Sequence, residues 1–564
     1  MTKNMIKTTL LVLLSLAACG KETETIPSGP SEPSSSTESV QMVRVDPLLK
    51  IFKEQTSYAS YEASEELARG ENASYQFVLK SDIALKNVNI IAGHLSCGDG
   101  DVIAPTLTAH EKYVTAGLHL DPPASDALFP ASDQYPDCLD ESVVFDVKAG
   151  EAVPLWVGYR IPKNVAAGDY TGEVRISART EDGTEVTASC PVSAKVYDVT
   201  LPEQTLLVSN WHAYKTIPLI CQGESVPLFS DKFYDALTEM VHVMREHGQN
   251  VYWLNPLGDY IVATRKDGKY SFDFTRFDRT VEIYIKEGGA KRIEGAHLAA
   301  RHEDWESDYW VHVPDKGGVF PLDNSYAQEY LSALIPALKS HLIEKGWWDM
   351  YLQHIGDEPA GVSVTSYVDI ANYVKALAPD IRILDAVHSA ALANTVDVWC
   401  PELDHFKNDY GFYQERKAAG DELWYYTCMA PRGNFANRFL ELPLIKTRIL
   451  HWLNFKYGAT GYLHWGFNQD WYSALKWMAT EGYCPGGDTY IVYPGKKKVY
   501  SSIRLEAMLD GINDYELLVM LSKKDPEAAR GIVSSVVYDF DAYNTDLDNF
   551  RSIRRTILQN LSNN

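Results

Sequence analysis

Two adjacent carboxylates, Asp357 and Glu358, sit in the run His354-Ile355-Gly356-Asp357-Glu358-Pro359. An apolar stretch precedes them and a helical pattern follows, so they fall at the end of a candidate strand. In extended backbone neighbouring side chains diverge, so one reacting group could meet the two at different points. Carboxylates crowded together repel, which raises the pKa of one of them. A glutamic acid raised in this way can give up a proton near neutral pH. The same residues also suit a helix start, with Asp as the cap and Pro in the first turn.

The elements that would position this pair can be read from hydrophobic periodicity. From residue 203 strands and amphipathic helices alternate, the signature of a parallel sheet with crossover helices. Strand candidates lie at 206–210, 250–254, 292–296, 349–355, 381–386, 396–400, 422–426 and 461–465. Helical stretches at 231–247, 325–345 and 442–457 end at Gly248, Gly346 and Gly458, as helices often do. Further helices are expected at 504–522, closing the barrel, and at 547–561, packing outside it. Eight strand–helix units predict a (β/α)8 TIM barrel over 203–564. A doubly wound open sheet is the alternative, but no Gly-rich phosphate loop accompanies it.

In such a barrel the reactive groups occupy the C-terminal ends of the strands. Those ends carry Trp211 and His212, then Asn255, His297, His388, Glu402, Trp424 and Tyr426, and finally Trp465 and Asn468. Aromatic faces interleaved with Asn, His and carboxylates compose a sugar pocket. The chain's 34 Tyr, 13 Trp and 18 Phe fit that reading, although large cores also use aromatics. Metal chemistry has less support. His297 and His302 are five apart, not at the HExxH spacing, and no CxxC pair is present. No G-x-S-x-G elbow offers a serine nucleophile. No cofactor is called for.

Residues 41–202 read as all-β. Short β-rich runs such as 74–79, 143–147 and 155–162 alternate with turn residues, which predicts an N-terminal β-sandwich.

The first 18 residues read as a leader: Lys3 and Lys7, an apolar run, then Leu16-Ala17-Ala18-Cys19-Gly20. This resembles the lipobox of bacterial lipoproteins, which implies lipidation at Cys19. Lys21-Glu22-Thr23-Glu24 resembles the export signal of Bacteroides-type surface lipoproteins. Residues 19–40 would form a flexible tether, being rich in Ser, Pro, Thr and Glu. An outer-membrane location follows, surface-exposed or on the periplasmic face, with the lipid as the sole membrane contact. A net charge of −24 gives no electrostatic reason to bind nucleic acid. Export permits disulfides, and Cys97 and Cys138, which lie in one region, are a candidate pair.

Between about residues 45 and 525 the chain resembles glycoside hydrolase family 123, the retaining β-N-acetylgalactosaminidases. The resemblance is carried by residues 354–359, by Trp424-Tyr425-Tyr426-Thr427 and by Tyr457-Gly458-Ala459-Thr460-Gly461-Tyr462-Leu463-His464-Trp465. Gly487-Asp488-Thr489-Tyr490 and the run from Arg504 to Glu516 add to it. It implies substrate-assisted catalysis on a glycan ending in an N-acetylhexosamine. Asp357 would orient the acetamido group as it becomes an oxazolinium ion. Glu358 would protonate the leaving oxygen and then deprotonate water. Trp424, Tyr426 and Trp465 are expected as walls, and Asn255, His297, His388 and Asn468 as hydroxyl contacts. Two alternatives stand beside this: the same chemistry on another 2-acetamido sugar, and a non-catalytic lipoprotein that captures glycans.

Overall fold

The computed structural model describes residues 39–562 except 99, 143 and 481. The leader, Cys19 and nearly all of the expected tether lie outside the described residues.

A five-stranded antiparallel sheet runs in the order Val40–Val45, Asn72–Ser81, Ala152–Arg160, Pro105–Thr115 and Gln134–Asp140. A second sheet faces it, built mainly from Glu65–Arg69, Glu185–Thr200, Gly168–Arg179, Leu85–Ala92 and Phe145–Val147. Alternation sets which residues go inward. In Gly168–Arg179, Tyr170, Val174, Ile176 and Ala178 are buried, while Glu173 and Arg175 are not. They meet Tyr75, Phe77, Leu79, Leu155 and Val157 from the first sheet in one apolar core. The result is a β-sandwich.

Eight short parallel strands follow: Leu207–Asn210, Val251–Leu254, Arg292–Gly295, Tyr351–Gln353, Leu384–Ala386, Val398–Cys400, Glu422–Thr427 and Gly461–His464. Each of the first seven pairs with the next, except that the fourth and fifth meet only at one bridge, Gln353 with Ile383. The Gln353 N–H donates to the Arg382 carbonyl at 2.9 Å there. The eighth strand pairs with the first and closes the barrel. Helices wrap the outside. Asp231–Glu246 is capped by the Ser230 hydroxyl, and Ser325–Lys345 by Asn324. The latter stops at Gly346, whose φ of +73° suits a residue without a Cβ. Between the fifth and sixth strands the helix is reduced to the single turn Ala390–Leu392.

The barrel's interior is apolar at depth, with Leu207, Val251, Leu352, Leu384, Val398 and Trp424 filling it. The long helix Ile503–Lys524 packs on Leu444–Tyr457 and reaches the sandwich. There the Arg504 guanidinium grips both oxygens of buried Asp137 at 2.7 Å each. Its remaining N–H groups donate to the carbonyls of Arg438, Gly487 and Tyr490. The last helix, Leu547–Ser562, also packs against the sandwich, where Arg554 pairs with Glu71 and with Asp514. Among the described residues no helix is long and apolar enough to cross a membrane.

The candidate Cys97–Cys138 disulfide is not formed, and all seven described cysteines are free thiols. Cys138 is buried in the strand Gln134–Asp140 of the first sheet, while Cys97 follows the short strand Leu95–Ser96 and its sulfur faces Gly168 of the second.

Candidate active site

The fourth barrel strand ends at Gln353, and the chain crosses the mouth as His354 to Glu358. The following helix begins only at Ser363, so Asp357 does not cap it. Instead the backbone of the pair is clamped from one side. Arg301 donates to the carbonyls of Asp357 and Glu358 at 2.8 and 2.7 Å, and the Tyr309 hydroxyl donates to the Asp357 carbonyl. Gly356 permits this approach, because a Cβ there would lie 2.5 Å from the Tyr309 ring. Glu358 takes φ +53°, a left-handed conformation that costs a non-glycine residue of order 1 kcal/mol or more. Arg301 itself lies under the Trp305 ring, 3.8 Å from its centroid.

Both carboxyl groups line a cavity of about 860 Å³ at the barrel mouth. Its walls include Trp211, Trp253, Tyr426, Trp465, Met429 and Tyr483. A second cavity of about 820 Å³ adjoins it, and Asn255, His297, Trp305 and Asp357 border both. Burial raises the pKa of Asp357 to about 6, helped by the negative charge of Asp385. Burial raises Glu358 to about 7, helped by Asp357, while the Tyr426 hydrogen bond opposes the shift. At neutral pH Asp357 is therefore mostly ionised and Glu358 is poised to hold a proton.

Behind the pair sits a buried ionic group. His354 Nδ1 is 2.8 Å from Asp385 Oδ1, and its Nε2 is 3.4 Å from Glu294 Oε2. Burial alone would lower the pKa of His354; the two carboxylates outweigh it and lift the pKa to about 9. Asp385 also accepts from the Ile355 N–H and the Tyr367 hydroxyl, and Glu294 from Trp211 Nε1.

The residues expected at the mouth divide into three groups. Tyr426, Trp465, Trp211, His297 and Asn255 line the main cavity, with Trp211 stacked on Trp253 at 4.1 Å and Trp465 Nε1 donating to Asp488 at 3.1 Å. His388 reaches Glu358 from the side, through Tyr426. His212 borders the cavity, but its Nε2 meets the Tyr284 hydroxyl at 3.0 Å.

Two expected contacts are corrected. Trp424 is fully buried and lines neither cavity; it points into the barrel one pleat below Tyr426, in space left by Gly461. Asn468 is also fully buried, and its amide is spent on Ala213 and Thr216, fastening the loop after the first strand.

Arg301, Trp305 and Tyr309 escaped the sequence reading because they lie on an insertion after the third strand, a small antiparallel sheet of Ala299–Arg301, Tyr309–Val313 and Gly318–Phe320 whose strands are too short to show a period. Glu294 and Asp385 carried a usable signal, an acid inside an apolar strand. Glu402, visible at the sixth strand's end, lines the cavity, and burial pushes its pKa to about 8.

Two His–carboxylate groups bring ligand-type atoms within 4.8 Å of one another. In His297–His354–Asp385, His354 is already held between carboxylates. In His388–Glu402–His405 the two imidazoles stack in parallel at 4.0 Å, so their in-plane lone pairs run side by side rather than meeting.

The family model described as glycoside hydrolase 123, catalytic domain, matches residues 218–521, and the glycoside hydrolase 123 N-terminal domain matches 52–178. No curated protein matches the chain. A solved family 123 glycoside hydrolase from Clostridium perfringens, studied for glycolipid glycan hydrolysis, is similar with a TM-score of 0.71 at 16% identity. The similarity covers 93% of this chain and 97% of that one. A GH39 enzyme from Xanthomonas axonopodis pv. citri matches 56% of this chain and 66% of its own, with 12% identity and a TM-score of 0.34. A GH10 xylanase from Thermobacillus composti matches 54% and 97%, with 10% identity and a TM-score of 0.32.

Proposed function

As the chain belongs to glycoside hydrolase family 123, we propose that this glycosidase removes β-linked N-acetylgalactosamine by a retaining, substrate-assisted mechanism. One observation carries the reading. The two candidate carboxyl groups belong to adjacent residues, presented to one cavity by a single turn of backbone rather than by two different strands. Two such groups poorly serve as nucleophile and acid flanking a glycosidic bond, whereas substrate-assisted hydrolases depart from that geometry.

In this mechanism the acetamido oxygen attacks the anomeric carbon as the bond to the leaving oxygen breaks. Glu358 gives its proton to that oxygen. Ionised Asp357 holds the acetamido N–H and offsets the positive charge of the oxazolinium ion. Water then attacks the anomeric carbon, Glu358 takes a proton from it, and the acetamido group is restored. Two inversions leave the anomeric configuration unchanged. Tyr426, Trp465 and Trp211 supply the aromatic walls.

The relative studied for glycolipid glycan hydrolysis supports a glycan substrate; under the proposed mechanism a terminal N-acetylhexosamine stands at its end. The lipobox-like Leu16-Ala17-Ala18-Cys19 supports anchoring to the outer membrane through Cys19.

The test is hydrolysis of aryl β-N-acetylgalactosaminide and aryl β-N-acetylglucosaminide by wild type and Glu358→Gln. Release from the galacto substrate with the β-anomer formed first, abolished in the variant, is expected. Preference for the gluco substrate would move the proposal to another 2-acetamido sugar. No release, with equal glycan binding by both proteins, would replace catalysis with capture.

A further inference from the structure

Tyr426 and His388 both bear on Glu358. The Tyr426 hydroxyl donates to Glu358 Oε1, and the same hydroxyl oxygen lies 2.6 Å from His388 Nε2. Around that nitrogen stand two further oxygens, Glu358 Oε1 at 3.9 Å and Glu402 Oε2 at 4.0 Å. An imidazole lone pair in this place would face the Tyr426 oxygen, whose own proton goes to Glu358, and the oxygens of two carboxyl groups. The proton therefore belongs on Nε2, which donates to the tyrosine oxygen. The tyrosine's single proton then goes to Glu358, with the Glu402 carboxyl the neighbouring competitor for it.

We infer that His388 and Tyr426 form a positioning relay that makes Oε1 of Glu358 a permanent acceptor and leaves Oε2 to carry the catalytic proton. This rests on the acid–base role proposed for Glu358. In the reverse polarity the carboxylic proton would sit on Oε1 and point at Tyr426, away from the leaving oxygen. The two rings have little freedom to turn. His388 stacks on His405 with centroids 4.0 Å apart and planes within 2°, and His405 Nδ1 is fixed 3.0 Å from Asp404. Tyr426 is buried in the barrel. Asp357, Arg301, Glu402, Asp404, His405 and Cys428 are the charged or titratable groups that face the relay.

A relay of this kind acts on proton delivery and not on sugar binding. Its weight should grow with the leaving group's need for a proton. The experiment compares wild type, Tyr426→Phe, His388→Leu and His388→Gln on β-N-acetylgalactosaminides ranging from nitrophenyl to alkyl leaving groups. Tyr426→Phe and His388→Leu are expected to lose about 100-fold in kcat/KM on alkyl glycosides but about tenfold or less on nitrophenyl glycosides. Affinity for the product sugar should stay within about twofold. In Tyr426→Phe the basic limb of the pH profile should move up, since the lost hydrogen bond held the Glu358 pKa down. His388→Gln keeps an N–H donor and should recover most of the alkyl rate. An equal loss on every leaving group, or a loss confined to product affinity, would leave Tyr426 a wall and nothing more, and would overturn the relay. An active wild type whose variants show an unchanged leaving-group dependence would sink the relay alone. A wild type that cleaves no member of the series would sink the glycosidase reading and the relay with it.

Discussion

His354 Nδ1 lies 2.8 Å from Asp385 Oδ1, with both side chains wholly buried behind Asp357. The imidazolium is shared with Glu294, so the mouth of the barrel rests on one cation between two anions. Breaking such a group strands a charge where water cannot reach it. Asp385→Asn is expected to cost about 3 kcal/mol of stability, read as a lowered denaturation midpoint. A midpoint equal to that of wild type would show that the group is not ionised as described.

Arg301 touches no atom of the carboxyl groups themselves, yet its two hydrogen bonds hold the backbone that presents them. Arg301→Met should leave the protein folded while lowering kcat about 100-fold, because a displacement of roughly 1 Å at the reacting groups is enough for that. Thermal denaturation and steady-state kinetics on the same preparation separate the two effects.

The pH dependence follows from two raised carboxyl groups. Activity needs Glu358 protonated and Asp357 ionised. kcat/KM should fall below about pH 6 as Asp357 takes up a proton, and above about pH 7 as Glu358 loses its own. Stability runs in one direction. The folded pKa of Glu358 lies above its unfolded value, so its contribution is present in acid and is lost as pH rises through about 7. Glu358→Gln cannot ionise, so it should melt higher than wild type at pH 8 and at the same temperature at pH 4. A lower melting point at pH 8 would contradict this.

Trp424 and Trp465 offer a paired comparison. Trp465→Ala removes a cavity wall and should raise KM about tenfold with little change in melting. Trp424→Ala empties the barrel core and should cost about 3–5 kcal/mol. Equal effects on KM would return Trp424 to the pocket.

Much of this architecture can be read from the chain. All eight barrel strands lie where an apolar run meets turn residues, and each begins and ends within a few positions of its expected place. What period two does not encode is depth. Trp424 and Tyr426 both point inward, but only the second stands at the mouth, one pleat higher. Nor does residue type reveal allegiance: Asn468 has the chemistry of a sugar contact and serves a loop instead. Arg301 was beyond reach for a different reason, since its partners are carbonyl groups, which leave no mark on sequence.

The Arg504–Asp137 clasp bears on how such a protein can be cut and recombined. A binding module appended to an enzyme can usually be trimmed away or traded for another. Here the guanidinium that the sandwich neutralises also braces the segments around Arg438 and Gly487, on the chain that carries Asp488 toward Trp465. Excising the sandwich would strip a buried cation of its counter-ion and loosen one flank of the pocket in the same stroke. For engineering, the two domains are therefore best handled as one unit, and a barrel grafted without its own sandwich starts with a damaged wall.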